Sequence, residues 1–260
     1  MRYTEAPARR AELLRRLSAH GYVSSAALAE EFGVSEMTIR RDLRQLHIEG
    51  LARRVAGGAS LPLGGARGLP FEERDRSAAL EKAALAEACA TELGDAETIA
   101  LDAGTTVAGV AELLQPGTTV VSHSMPVLAA ATARDDLVVV GLGGTWSPAT
   151  RSFTGEAARK GLDRVVVDVA VLSATAVDGS GALCANEFDA ETKRAMVAAA
   201  RRTILLVDST KIGARAPIRF APLSSFDLVV TGDDLGDDQR ALLAAARSVV
   251  YSSSRLADAR

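Results

Sequence analysis

The sequence predicts an α/β protein in two parts. A small, mainly helical N-terminal head precedes a larger body built on a doubly wound, mainly parallel sheet. Three observations predict it. Before residue 60 the apolar residues recur at helical spacing, as in Ile39, Leu43 and Leu46. Residues 61–70, LPLGGARGLP, hold three Gly and two Pro, which is linker composition. From Thr98 onward, short apolar runs alternate with Gly/Ser/Thr turns and helical stretches, the rhythm of a parallel sheet covered on both faces. The expected boundaries are a head at 1–60, a linker and the start of a connecting helix at 61–78, and a body at 79–260.

In the head, Ala11, Leu14 and Leu17 place a first helix over Ala8 to Leu17, with Gly21 as its stop. Ser24 or Ser25 can cap a second helix, Ala26 to Phe32, and Gly33 supplies the following turn. Ser35 caps a third, Glu36 to Glu49, by accepting from amides that lack a helical partner, and Gly50 ends it. Leu51 to Val55 reads as a short strand before a flexible Gly57-Gly58. A long helical pattern runs from about Phe71 to Leu93. The body's strand runs are Ile99–Leu101, Thr119–Val121, Leu137–Val140, Val165–Leu172, Ile204–Val207 and Leu228–Val230.

Composition narrows the function classes. At 260 residues, 48% hydrophobic and 24% charged, the chain has enough apolar content to offset chain entropy, which excludes disorder as its main state. The longest apolar stretch, Val165 to Val177, is short and broken by Asp168, so no membrane partner is expected. Met1-Arg2-Tyr3-Thr4 leads straight into a charged helical pattern rather than a secretory signal. Cys89 and Cys184 form neither a disulfide framework nor a zinc cluster. A cytoplasmic protein without metal or cofactor is expected. Residues 1–60 carry ten Arg against seven acidic side chains, a balance of +3, and the rest carry 20 basic against 26 acidic, a balance of −6. A basic head on an acidic body points to a polyanionic partner for the head; ordinary surface composition gives the same bias.

Two helices joined by a Gly turn, the second lying in a major groove, make a helix-turn-helix. Here the second would start at Ser35. With Ile39, Leu43 and Leu46 inward, Arg40 and Arg44 lie side by side, and Thr38 and Arg41 fall on other faces. Arginine can bond guanine edges or phosphates bidentately, and Ser35 and Thr38 can reach backbone oxygens or bases. Arg53 and Arg54 follow as a wing on the phosphate backbone. A solvated amphipathic helix is the plainer reading of the same pattern.

The run Val34-Ser35-Glu36-Met37-Thr38-Ile39-Arg40-Arg41-Asp42-Leu43, then Glu49-Gly50-Leu51 and Arg54-Val55-Ala56-Gly57-Gly58-Ala59, closely resembles the N-terminal signature of DeoR-family bacterial transcription regulators. The likeness covers nearly the whole chain. It implies a winged helix-turn-helix followed by a sugar-phosphate-responsive domain related to ribose-5-phosphate isomerase.

In the body, Ile99 to Val107 reads as a strand entering a helix through a Gly turn. Gly104 permits unusual backbone angles, helix-start amides can surround a phosphate, and Thr105 and Thr106 add hydroxyl donors. Asp102 could accept sugar hydroxyls. Helix capping would use the same Asp and Thr. Ligand sites in open α/β sheets lie at the carboxyl edge, so Ser122-His123-Ser124, Gly141-Leu142-Gly143-Gly144, Ser173-Ala174-Thr175 and Asp208 to Lys211 are further candidates. Effector contacts are expected from Ser122, Ser124, Gly143, Gly144 and Lys211, the last because lysine is scarce, four against 26 arginines. His123 stands where the family more usually carries Asn, which bears on sugar selectivity. Gly141 to Gly144 lacks the spacing of a dinucleotide fingerprint.

Two functions compete: a regulator sensing a phosphorylated sugar, and a sugar-phosphate isomerase with an accessory DNA-binding domain. The related isomerases carry two Asp after the central strand and a Glu on the next helix. Aligned by hand on the shared Asp-x-(Ser/Thr)-Lys end, the Asp positions fall on Leu172 and Thr175, and the Glu position at or beside Lys193. Leu172 cannot move a proton, which favours the sensor. Glu187, Asp189 and Lys193 are read as a mobile lid or, equally, a solvated helix start. The expected partners are a double-stranded DNA operator and a phosphorylated sugar, with the chain acting as a homodimer or homotetramer.

Overall fold

The computed structural model describes residues 6–20, 22–48, 51–55, 57–60, 71, 74, 78–148 and 150–253. Two units divide the chain, Met1–Arg74 and Asp75–Arg260. The linker reading of 61–70, the stop at Gly21 and the Glu49-Gly50 helix end lie outside the described residues.

In the first unit, α1 (Ala6–His20), β1 (Tyr22–Ser24), α2 (Ser25–Phe32), α3 (Glu36–Ile48), β2 (Arg53–Val55) and β3 (Gly58–Ser60) follow in order. Ser24, rather than Ser25, caps α2, its hydroxyl accepting from the Ala27 amide at 3.5 Å. Gly33 closes α2 at φ +65, left-handed backbone that costs a side-chain-bearing residue about 1 kcal/mol. The Val34 amide then donates back to the Ala29 carbonyl at 3.0 Å. Ile39, Leu43 and Leu46 are buried with Leu13, Leu17, Leu28 and Phe32, as their spacing predicts. A buried Arg9–Asp42 ion pair at 2.5 Å ties α1 to α3. The strands form an antiparallel sheet in the order β1-β3-β2. Neither β1 nor β3 is visible in the sequence, since three residues give no alternation to read. Gly58 is not the flexible residue expected. It is buried in β3, where an added Cβ would sit 1.9 Å from the Val23 carbonyl oxygen.

In the second unit, α4 (Ala79–Glu92) is the C-terminal part of the pattern expected from Phe71, and Ala78 at its start lies at φ +54. The strands β4 (Thr98–Leu101), β5 (Thr119–Ser122), β6 (Val138–Gly141), β9 (Val167–Leu172), β12 (Ala200–Leu206), β14 (Leu228–Gly232) and β15 (Val249–Ser252) build a seven-stranded sheet. Its order is β15-β14-β12-β9-β4-β5-β6 and every pairing is parallel. Six strands coincide with the apolar runs. The seventh, β15, offers only Val249-Val250 before polar residues and is not legible.

Alternate residues face two cores. Ile99, Leu101, Ile204 and Leu206 pack with Leu85 and Cys89 of α4 on one face. Leu172 and Leu205 pack with Phe226, Cys184 and Met196 on the other. A fully buried Leu or Ile contributes roughly 1.5–3 kcal/mol, against about 0–1 for an exposed pair such as Lys160–Glu156; the cores, not the surface pairs, hold the sheet. Both cysteines are buried, and burial pushes each thiol up to about 12. Helices α5 (Thr105–Ala108), α6 (Met125–Thr132), α7 (Glu156–Leu162), α8 (Glu187–Ala199) and α9 (Asp237–Leu242) join the strands. A hairpin, β7 (Thr145–Ser147) with β8 (Ser152–Thr154), and a small sheet of β10 (Ala176–Asp178), β11 (Gly181–Cys184) and β13 (Ile218–Ala221) complete the unit. Among the described residues no helix is long and apolar enough to cross a membrane.

From β4 the chain steps outward through β5 and β6. It then crosses back past β4 to β9 and continues outward through β12, β14 and β15. Order reverses between β4 and β9, the topological position at whose carboxyl edge open α/β sheets place their ligand sites.

Candidate functional site

The first unit presents its candidates on α3 and β2. At the helix start the Ser35 hydroxyl accepts from the Thr38 amide at 3.1 Å and lies 2.8 Å from the Thr38 hydroxyl. Arg40, Arg41, Arg44, Arg53 and Arg54 are all exposed. Arg40 is tied one turn back to Glu36, at 2.7 and 3.0 Å, which cancels part of its charge. Arg41, Arg44 and Arg54 have no polar partner among the described residues. A cleft of about 220 Å³ between α3 and the β2–β3 hairpin is lined by Arg40, Leu43, Arg54, Val55, Gly57 and Gly58. Sequence reasoning passed over Met37, 73% exposed on the same helix. A helix bearing unpaired guanidiniums and one apolar tip can contact phosphates, guanine edges and a thymine methyl.

The second unit builds its site at the β4/β9 crossing. Asp102 leaves β4 wholly buried. Its Oδ2 accepts from the Ser173 amide at 2.9 Å, from the Ser173 hydroxyl at 2.6 Å and from the Lys193 ammonium. Oδ1 faces His123 Nε2 at 3.4 Å, while His123 Nδ1 donates to the Phe153 carbonyl at 2.8 Å. Burial alone pushes the Asp102 carboxyl up; the Lys193 charge and the His123 contact outweigh it and hold the group well below the usual carboxylate range. Burial likewise works against the Lys193 charge, and Asp102 and Asp189 more than compensate, raising Lys193 above an ordinary lysine.

Several expectations change. Asp102 is not open to sugar hydroxyls; it holds the loops after β4, β5 and β9 together. Lys193 belongs to no lid: it is 2% exposed, donates to the Ser173 carbonyl at 3.1 Å and lies 5.5 Å from the Phe220 ring centre. Gly104 has ordinary extended backbone, φ −110. It is glycine because an added Cβ would fall 2.4 Å from the Ser173 side chain. Ser122 is buried, donating to the Leu101 carbonyl at 2.7 Å and accepting from the Ser124 amide at 3.1 Å, so it staples β5 to β4. Gly144 lets its loop pass β8, where a Cβ would meet the Thr154 carbonyl oxygen at 2.4 Å. Gly143 is exposed.

Other candidates stay accessible to the reading. Thr105 is half-buried and Thr106 is 6% exposed; neither hydroxyl has a protein partner among the described residues. The Ser124 hydroxyl is buried and unpartnered, a state that calls for a water or ligand atom. Lys211 is half-buried in the loop after β12, its amide donating to the Asp208 carbonyl at 3.0 Å. The parts missed in the sequence are the roles of Ser173, His123 and Lys193. One signal was present: the scarcity of lysine that singled out Lys211 applies equally to Lys193.

Comparison with known proteins bears on both units. Residues 9–62 match the DeoR-like helix-turn-helix domain, and residues 77–233 match the DeoR C terminal sensor domain. The chain is 32% identical over 249 residues to the HTH-type transcriptional regulator YgbI of Escherichia coli K12, covering 95% of this chain and 98% of that protein. It is 32% identical over 216 residues to the glycerol-3-phosphate regulon repressor of the same organism, covering 81% and 84%. Among solved structures, ribose 5-phosphate isomerase A from Neisseria gonorrhoeae shares 19% identity over 53% of each chain, with a TM-score of 0.38.

Proposed function

This chain belongs to the DeoR family of helix-turn-helix transcriptional regulators, and on that premise we propose that it is a repressor of sugar-metabolism genes released or engaged by a phosphorylated sugar. The observation that carries the reading is the pair of hydroxyls on Thr105 and Thr106, without a protein partner among the described residues, three and four positions after an Asp102 locked to Lys193 where the β4 and β9 loops meet. Those hydroxyls and the amides beside them take the phosphate. Ser124 and Lys211 lie on the loops after β5 and β12, the strands that flank β4 and β9, and Lys211 faces the sugar. Asp102 acts as a positioning residue. The first unit grips the operator with Arg41, Arg44 and Arg54, and two or four copies read spaced half-sites in the cytoplasm.

The isomerase reading is disfavoured by chemistry. Enediolate formation needs a carboxylate base near the reacting carbons. The positions aligned by hand fall on Leu172, wholly buried, and Thr175, and the third falls at or beside Lys193, whose proton Asp102 retains. A thermal-shift screen of sugar phosphates against their unphosphorylated parents tests the proposal. Phosphorylated ligands alone are expected to raise Tm, and a Thr105→Val/Thr106→Val variant is expected to lose the shift while still binding DNA. An unchanged shift in that variant refutes the phosphate assignment, and ribose 5-phosphate turnover by the native chain restores the enzyme.

A further inference from the structure

Among the described residues helix α4 is the first element of the second unit, and one of its acidic side chains reaches across to a strand-end loop. Glu81, in the first turn of α4, accepts the Ser209 amide on Oε1 at 2.7 Å and the Ser209 hydroxyl on Oε2 at 3.1 Å. Ser209 lies in the loop after β12 that also carries Lys211. Room for the carboxylate is built in: a Cβ on Gly232 would fall 2.2 Å from Glu81 Oε1. One turn further, Ala86 of α4 packs against the helix that follows α5, where a Cβ on Gly109 would meet Ala86 Cβ at 3.3 Å. The same rigid helix therefore touches both sides of the proposed phosphate cradle, by close packing on the Thr105 side and by a charged two-point hydrogen bond on the Lys211 side. At its N-terminus Ala78 is held at φ +54, a conformation that a non-glycine residue keeps only under constraint.

We infer that Glu81 is the positioning residue that couples effector occupancy to α4. A ligand drawing the Thr105 and Lys211 loops together would change the seating of the α4 first turn, which in sequence follows the segment joining the two units. The inference rests on the proposed phosphate cradle. Sequence alone does not carry it, because a Glu in a helix's first turn also suits the helix dipole.

Hydrogen exchange on the full chain, with inorganic phosphate as the probe, tests it. In the native chain phosphate is expected to slow exchange about tenfold in peptides covering 105–108, and also in those covering 79–86 and 207–213. Glu81→Ala is expected to keep the protection at 105–108, at the same phosphate concentration, and to lose it at 79–86. Glu81→Gln, which retains an acceptor for the Ser209 amide, is expected to restore it. A purely structural Glu81 would instead raise exchange equally with and without phosphate, and that result overturns the coupling. Protection at 105–108 without any change at 79–86 in the native chain overturns it as well. No protection at 105–108 removes the cradle itself, and the coupling with it.

Discussion

Lys193→Met gives the most direct test of the Asp102–Lys193 lock between the β4 and β9 loops. The ammonium is 3% exposed and the Asp102 carboxylate is fully buried, so the pair is shielded from solvent. Removing the ammonium leaves the Asp102 carboxylate buried with its Ser173 hydrogen bonds but without its counter-charge, a loss of about 3–5 kcal/mol. For a domain of this size, about 2–4 °C accompanies each kcal/mol, so Tm should fall roughly 6–20 °C at pH 7. The pH dependence carries the diagnosis. In the native chain Asp102 is held ionised below its ordinary range, so its contribution is present above about pH 4 and fades as pH falls. Lys193 is held protonated above its ordinary range, so its contribution is intact below about pH 10 and fades as pH rises through the folded value. Without Lys193, burial pushes the Asp102 carboxyl up instead. The deficit should then be widest at pH 7–8 and shrink toward pH 4, where the variant protonates that carboxyl. Lys193→Met/Asp102→Asn should recover much of the loss. Calorimetry and urea unfolding between pH 4 and 8 measure all three. A loss under about 1 kcal/mol at pH 7, or a deficit equal at pH 4 and pH 8, refutes the argument that the pair is buried and mutually dependent.

Gly104→Ala should destabilise the second unit by roughly 1–3 kcal/mol through its clash with Ser173, and the same change made in a Ser173→Gly background should cost less in urea titrations. An equal cost in both backgrounds would show that the Ser173 side chain is not what excludes a Cβ at position 104. On the DNA side, Arg41→Ala should cost roughly 1–3 kcal/mol of operator binding if it reads a base. If Arg41 instead holds a phosphate, the slope of log affinity against log salt should drop by about one in a fluorescence-anisotropy titration. Neither effect in either measurement would remove Arg41 from the interface.

Most of the framework was legible because it rests on local rules. Gly33 and Ser35 punctuate the helices around the turn, and Ile39, Leu43 and Leu46 mark the buried face of α3. Six of the sheet's strands are continuous apolar runs. What escaped was long-range. Asp102 and Lys193 stand 91 residues apart, and no spacing rule links a strand end to the middle of a later helix. Gly104 showed as a turn residue, although its neighbour Ser173, from another strand, is what excludes a side chain. Strands β1 and β3 are three residues each, too brief for a period, and owe their existence to partners already in place. Local chemistry announced where the site lies; which of its groups face a ligand depended on contacts made across the sheet.

Cys89 and Cys184 lie in cores on opposite faces of the central sheet, each sealed from solvent. A thiol reacts as its thiolate, and groups displaced to about 12 hold almost none near neutrality. The native chain is therefore a blank background for maleimide chemistry. A single cysteine introduced at an exposed helical position, such as Ala26 at the start of α2, would carry a fluorophore with no competing label, and its emission would follow the protein onto and off DNA in real time.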